Sequence, residues 1–172
     1  MIYEPPAECY EGIMLSRHLN RQNGDADVGV RQRWMGVLAR ADAGRLEQLW
    51  SEHGGGQRLE PVRPAEIGLV MVRGRAGGTG ERFNLGEMTT TRAAVRTPAG
   101  AVGHGYVMGR AKRHAELAAS FDALLQDDAR RAALMAAVIE PLAEVEARRR
   151  HALAAKAAAT KVDFFTMVRG EA

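Results

Sequence analysis

Residues 89–108 read TTTRAAVRTPAGAVGHGYVM, and this pattern predicts two strands joined by a tight turn. Side chains alternate between the two faces of a strand. Here Arg92 and Arg96 fall on one face, while alanine and valine fall on the other. The tetrapeptide TPAG at 97–100 has proline second and glycine fourth, as type I turns prefer. The stretch therefore predicts an antiparallel hairpin.

The second strand of this hairpin carries Gly103 and Gly105 on one face. Glycines two positions apart leave a bare backbone surface. The same alternation places His104 with Tyr106 and Met108 on the opposite face. For His104, a packed and hydrogen-bonded side chain is therefore a stronger interpretation than a catalytic one.

A further strand precedes the hairpin. Residues 67–72 read IGLVMV, a short run that favours β structure and is apolar on both faces, and prolines upstream force an extended approach to it. This pattern predicts a strand that is buried on both sides.

Helical periodicity flanks the strands on both sides. Apolar residues recur at helical spacing from 30 to 43, around 46–50, from 110 to 126 and from 134 to 139, and an alanine-rich run follows Pro141. Asp42 is placed to cap the second helix, three glycines at 54–56 to end it, and Pro141 suits the first turn of a last helix. The sequence predicts an α+β domain with a small, mainly antiparallel sheet packed with N-terminal and C-terminal helices.

The two ends of the chain differ from this pattern. Residues 1–30 show no clean period and predict an N-terminal extension that is mobile or docked on a partner, so that 31–172 form a single domain. Residues 162–169, VDFFTMVR, are apolar on both faces. Such a tail is expected to be buried in its own core or against a partner.

Composition excludes several classes of protein. The chain has 24 Lys and Arg against 21 Asp and Glu, and the two signs are interleaved, which argues against nucleic-acid binding. Its only cysteine, Cys9, excludes an intramolecular disulfide or a cysteine-ligated cluster. No apolar run approaches the roughly 20 residues that span a bilayer, so we expect no membrane helix.

The most unusual chemistry lies between residues 73 and 96. The candidate anion-binding or interface residues in this stretch are Arg73, Arg75, Gly77, Gly78, Thr79, Gly80, Glu81, Arg92 and Arg96. The stretch lacks the lysine of a P-loop and the strand-to-helix setting of a dinucleotide fingerprint. Two interpretations stay open: glycine-loop donors and guanidiniums that bind an anion, or a tight loop whose arginines pair with Glu81 and Glu87.

Catalytic and metal-binding groups are not recognisable. The serines have no neighbouring base in the sequence, and the five histidines lie too far apart to suggest three convergent metal ligands. His114 falls in the first turn of a helix, where we expect it to be exposed or at an interface. The sequence predicts no catalytic residue and no metal in this chain.

Several long strings, in order, resemble the PhnG family of the bacterial carbon–phosphorus lyase core complex. They are RQRWM at 31–35, GGTGERF at 77–83, TRAAVR at 91–96 and VDFFTMVRG at 162–170. The resemblance runs from about Arg31 to the C-terminus. It implies a cytoplasmic, hetero-oligomeric subunit that assembles with H-, I- and J-type subunits, and with the L-type subunit, in bacteria that obtain phosphate from phosphonates.

The resemblance also implies a division of labour. In that family, the I-type subunit with G, H and L replaces the adenine of ATP by methylphosphonate, which gives ribose 1-methylphosphonate 5-triphosphate. Radical cleavage of the carbon–phosphorus bond belongs to the J-type subunit with its iron–sulfur cluster, in keeping with the single cysteine here. The chain is thus expected to belong to a transferase complex, to bind no cofactor alone and to support the I-type subunit.

The expected partner contacts lie mainly in the tail. The candidate partner-interface residues are His114, Phe164, Phe165, Met167, Val168 and Arg169. The alternative is that the arginine- and glycine-rich loop binds the triphosphate or phosphonate of the substrate directly.

Overall fold

A computed structural model describes residues 28–75 and 80–160. In this part of the chain the elements are α1 (28–40), α2 (Ala43–His53), β1 (Glu60–Gly74), β2 (Phe83–Arg96), β3 (Val102–Met108), α3 (Lys112–Leu125), α4 (Asp128–Leu134) and α5 (Glu140–Ala159). The α+β prediction is confirmed. The expectations for residues 1–27 of the N-terminal extension, for Gly77, Gly78 and Thr79, and for the tail fall outside the described residues.

The described strands form one antiparallel sheet in the order β1-β2-β3. The predicted hairpin is confirmed, with Val95 opposite Gly103 and Ala93 opposite Gly105. At its turn the Gly100 amide donates to the Thr97 carbonyl at 2.9 Å. Gly100 has a φ of +94°, which glycine adopts at no steric cost.

The glycine face of β3 packs directly against α3. A Cβ atom at Gly103 or Gly105 would overlap backbone atoms of Ala119 or Ala115. Small residues on both elements therefore allow the strand and the helix to approach backbone to backbone. Helix α3 packs on the bare surface that the sequence predicted, and eleven of its fourteen residues are buried.

The opposite face of β3 points outward. His104, Tyr106 and Met108 are all exposed. The prediction of a packed His104 is wrong, because α3 covers the glycine face instead.

A helical core lies on the other side of α3. Its buried members include Trp34, Leu38, Leu46, Leu49, Leu117, Phe121, Leu125, Val138 and Ile139. The rings of Trp50 and Phe121 meet edge to face, with centroids 5.2 Å apart. Asp42 caps α2 by accepting from the Arg45 amide at 2.9 Å, as predicted.

The last two helices join into one continuous helical segment. A π-helical turn, Met135–Ile139, connects α4 to α5 immediately before Pro141. Proline has no N–H, and its ring would collide with the carbonyl four residues earlier in a regular α-helix. We attribute the wider π turn to this constraint. Pro141 lies in the first turn of α5, as the sequence predicted, and α5 continues directly from the π-helical turn.

The burial predicted for β1 is wrong. Ile67, Leu69 and Met71 are exposed, and β1 is an edge strand whose paired neighbour among the described residues is β2. The reason is length. Helix α3 is about 21 Å long, whereas the fifteen residues of β1 span about 50 Å. One helix therefore covers only part of the sheet.

Candidate interaction surface

The β1–β2 hairpin extends beyond the rest of the sheet. Pairing of β2 with β3 ends at Thr90 opposite Met108, while pairing with β1 continues to Phe83 opposite Gly74. We call this extension, residues 67–74 and 83–89, the arm. Ile67 and Gly68 at its base lie opposite β2 residues that also pair with β3, and from Leu69 onward the described residues form a two-stranded ribbon.

Apolar side chains dominate the arm. The exposed fractions are 45% for Ile67, 63% for Leu69, 48% for Met71, 46% for Phe83 and 66% for Leu85. Val70 and Val72, whose side chains lie on the opposite face of β1 from these β1 residues, are half-buried. Exposed apolar side chains concentrated in one segment in this way indicate a site of interaction with another molecule.

The first half of the outer edge of β3, at Val102 and His104, is closed by side chains. The His104 amide donates to Asp122 Oδ2 at 2.8 Å. The Val102 carbonyl accepts from Gln126 Nε2 at 2.8 Å and from Arg31 Nη2 at 3.2 Å. These contacts occupy main-chain groups that another strand would otherwise pair with.

Asp122 is the centre of this closure, and sequence reasoning missed it. It is fully buried and accepts from Arg31 Nη2 at 2.7 Å, from Arg31 Nε at 3.1 Å and from Trp34 Nε1 at 2.8 Å. The available signal was a lone acid inside the apolar run of α3. Its donors come from the RQRW string, so these residues connect α1 to α3 and β3.

The outer edge of β1 is only partly protected. Its first half contains Pro61 and Pro64, two register shifts, and the charged residues Arg63 and Glu66. Such features discourage edge-to-edge pairing. From 67 to 74 the edge lacks prolines, and no second strand is bonded to it among the described residues.

The hairpin separates the arginines that are close in sequence. Arg73 lies opposite Asn84, eight residues along β2 from Arg92, a separation of about 26 Å. Arg73 and Arg75 therefore lie near the end of the arm, while Arg92 and Arg96 lie on the outer face of the sheet. The four guanidiniums do not form one site.

The ion pairs of this region also differ from expectation. Arg92 Nε contacts Glu66 Oε1 at 2.7 Å, and Arg63 Nε contacts the same oxygen at 3.4 Å. Pairing of Arg92 with Glu81 or Glu87 is wrong, because Glu66 is its cross-strand neighbour. Arg73 Nη2 reaches the Arg82 carbonyl at 3.5 Å. Among the remaining candidates, Arg75, Gly80, Glu81 and Arg96 are exposed.

A shallow depression lies on the outer face of the sheet. It has a volume of about 480 Å³, and its lining includes Arg63, Arg92, His104 and Tyr106 around the small side chain of Ala94. The register explains this arrangement, because Ala94 lies between Arg63 and His104 on the neighbouring strands. Cationic and aromatic groups thus surround one small residue.

His114 is not where the sequence suggested. It is 9% exposed, and its Nε2 lies 2.8 Å from the Leu38 carbonyl. The expectation of an exposed position is wrong, because the first turn of α3 packs beneath the end of α1. The other five candidate partner-interface residues, from Phe164 to Arg169, fall outside the described residues.

One ion pair connects α2 to α3 at the surface. Arg113 Nε and Nη2 contact the two carboxylate oxygens of Glu47 at 2.9 and 2.7 Å. The hydrogen bond from Arg113 holds the pKa of Glu47 below its ordinary value of 4.5. In turn, the hydrogen bond to Glu47 raises the pKa of the Arg113 guanidinium. This pair is a link between helices.

Metal ligands and membrane-spanning helices are both missing from the described residues. Within 28–75 and 80–160, no cluster of three or more His, Cys, Asp or Glu side chains is arranged to hold a metal ion. None of the described helices combines the length and apolar character needed to cross a bilayer.

Comparison with known proteins gives a consistent result. The family model described as "Phosphonate metabolism protein PhnG" matches residues 29–170. A relative from Rhizobium meliloti (strain 1021) is 48% identical over 151 residues, which cover 88% of this chain and 96% of that protein. It is named alpha-D-ribose 1-methylphosphonate 5-triphosphate synthase subunit PhnG. On the extent of both matches, the chain belongs to the PhnG family of phosphonate metabolism proteins.

Proposed function

We propose that this protein is a cytoplasmic subunit of a carbon–phosphorus lyase core complex in bacterial phosphonate catabolism. Its role is to support the I-type subunit as that subunit displaces adenine from ATP with methylphosphonate. The 48% identity to a synthase subunit supports the assignment to such a complex. The exposed apolar arm is the structural observation that carries the supporting role.

Docking of the arm on another subunit has a simple physical basis. Burial of apolar surface stabilises association by about 25 cal/mol for each Å² removed from water. Aromatic and methionine side chains are enriched in interface cores, and the arm presents Phe83 and Met71 together with leucine and isoleucine. The arm therefore has the composition of a surface that is covered in an assembly.

The tail supplies a second proposed contact. Phe164, Phe165, Met167 and Val168 are apolar, and Arg169 follows them. We propose that these residues anchor the chain to the I-type subunit, with H-, J- and L-type subunits as further members of the assembly.

Co-expression tests the proposal. The full chain is produced with the H-, I- and J-type subunits, purified through a tag on this chain, and the eluted species are identified by native mass spectrometry. We expect the I-type subunit in a defined assembly. Deletion of 162–172 should reduce its recovery. Elution of this chain without any partner would contradict the proposed function, whereas full recovery after the deletion would contradict only the role of the tail.

A second candidate function rests on the depression around Ala94. Glu66 pairs with both Arg63 and Arg92, so one carboxylate serves two guanidiniums. Arginine binds phosphate and carboxylate in a bidentate manner. The substrate triphosphate or phosphonate is therefore a candidate ligand for this face.

The two candidates predict different results for the same variants. If the outer face of the sheet binds substrate, Arg92→Ala should weaken ATP binding to the assembled complex. If the end of the arm binds substrate, Arg75→Ala should weaken ATP binding instead. An assembled complex with unchanged ATP affinity in both variants would contradict substrate binding by these arginines. Loss of assembly would favour the supporting role.

A further inference from the structure

The two edges of the sheet are not equivalent. Side chains occupy the main-chain groups of Val102 and His104 at the β3 edge. At the β1 edge, the described residues place no strand beside residues 67–74. Long apolar edges without prolines or inward charges are templates for pairing with another chain.

We propose that residues 67–74 of β1 pair, main chain to main chain, with an extended segment of another subunit, which adds a fourth strand to the sheet. This inference rests on the proposed function, because it requires a partner subunit. The main-chain hydrogen-bonding groups of this edge indicate what kind of segment binds there. A row of outward N–H and C=O groups is matched by another strand, and the alternating side chains of the arm set the register.

The residue composition changes along β1, which supports strand addition at 67–74. From Glu60 to Glu66 the strand has two prolines and two of its three register shifts, and Arg63 pairs with Glu66. The third shift, between Val72 and Arg73, places its extra residue on β2 and leaves the outer edge of β1 regular. From Ile67 to Val72 it contains glycine and apolar residues alone. The first half is thus protected against strand addition, and the second half is open to it.

The dimensions of the edge favour a different subunit as the partner. Eight residues extend about 26 Å, and with a sheet thickness of about 10 Å the edge covers roughly 260 Å² per partner. Stable interfaces bury about 800 Å² per partner. Pairing between two copies of this chain through the edge alone is therefore too small, and it leaves Leu69 and Leu85 in water. The occupant must supply a strand and also apolar surface that covers the arm.

Amide hydrogen exchange in the assembled complex tests the pairing. In an antiparallel ladder, successive amides of β1 point alternately toward β2 and away from it. Strand addition predicts that all six amides from 67 to 72 exchange at least about 100-fold more slowly than in an unstructured chain. Docking through side chains alone predicts that every second amide exchanges quickly, and that result would overturn the inference.

A pair of proline variants gives an independent readout. Leu69→Pro and Val70→Pro remove adjacent N–H groups, one directed to β2 and one directed outward. Leu69→Ala and Val70→Ala are the matched controls for loss of the side chain. The outward-directed proline is identified as the variant that keeps the unfolding midpoint of its alanine control, since prolines are tolerated at outward edge positions.

The outward proline should reduce recovery of the partner subunit by about tenfold or more relative to its alanine control, since it removes one main-chain bond and blocks the approach of a strand. Recovery equal to that control would contradict strand addition while leaving the proposed function intact. If this chain alone formed a dimer with the same six protected amides, the occupant would be a second copy, and the assignment to another subunit would be wrong. If no subunit co-purified with the wild-type chain, the proposed function itself would fail.

Discussion

The β3 edge and the β1 arm belong to one small sheet, yet the main-chain groups along their edges are bonded differently. At β3, a fully buried aspartate, an arginine and a glutamine bond the main-chain groups of Val102 and His104. In the arm, the exposed side chains are largely apolar and the outer edge is bare among the described residues. The difference indicates that the first half of the β3 edge is completed within the chain, whereas the arm is completed by another molecule.

Substitution of Asp122 should destabilise the β3 side most strongly. Asp122→Ala removes the acceptor shared by Arg31, Trp34 and the His104 amide. Because removal of one partner leaves buried donors without a bond, we expect the free energy of unfolding to fall by about 3 to 5 kcal/mol. Urea denaturation of the full chain measures this change.

Asp127→Ala is the matched control for this substitution. It removes an N-cap bond to the Ala129 amide on an exposed helix end, which contributes about 1 kcal/mol. Equal losses in the two variants would contradict the central place given to Asp122.

Two glycine substitutions, one in β3 and one in β1, test the same difference between the two strands. Gly105→Ala would force a Cβ into the backbone of α3, so we expect a loss of about 1 to 3 kcal/mol in the free energy of unfolding. Gly68→Ala, at the base of the arm, has no atom within 4 Å of the new Cβ. Its effect should stay within about 0.5 kcal/mol. A larger loss for Gly68→Ala would mean that the β1 strand is covered within the chain.

A weaker effect is expected on the pH dependence of stability. The folded-state pKa of Glu47 is lowered by the hydrogen bond from Arg113, so the pair contributes stability above pH 4.5 and loses it as the pH falls below that value. The wild-type chain and Arg113→Ala should therefore differ slightly in unfolding midpoint at neutral pH. The difference should shrink as the pH falls through the lowered pKa of Glu47, because the carboxylate then becomes protonated. A difference that grows with acid would contradict this sign.

Local patterns in the sequence predicted much of the fold. Strand alternation, the TPAG turn and the Asp42 cap depend on neighbouring residues, and the structure confirms each of them. The predictions that failed concern contacts between distant segments. The burial of His114 depends on α1, and the exposure of Leu69 depends on the length of α3.

The candidate site was only partly predictable for the same reason. Sequence proximity suggested one cluster of four arginines, but a hairpin places its two halves far apart. Asp122 and Arg31 are 91 positions apart in the chain, and no local pattern reveals their hydrogen bonds. The strings that resemble PhnG, by contrast, are contiguous in the chain and depend on no distant contact. The comparisons confirm the family membership that these strings indicate.

Docking through the arm is tested by the mass of the complex that is recovered when the arm is altered. The double variant Leu69→Ser/Met71→Ser is co-expressed with the I-type subunit beside the wild-type chain and the control Val145→Ser, which changes an exposed apolar residue on α5. We predict a wild-type unfolding midpoint for both variants and loss of the partner from the double variant alone. Recovery of the double variant in the wild-type assembly would contradict the claim that the arm is the docking surface.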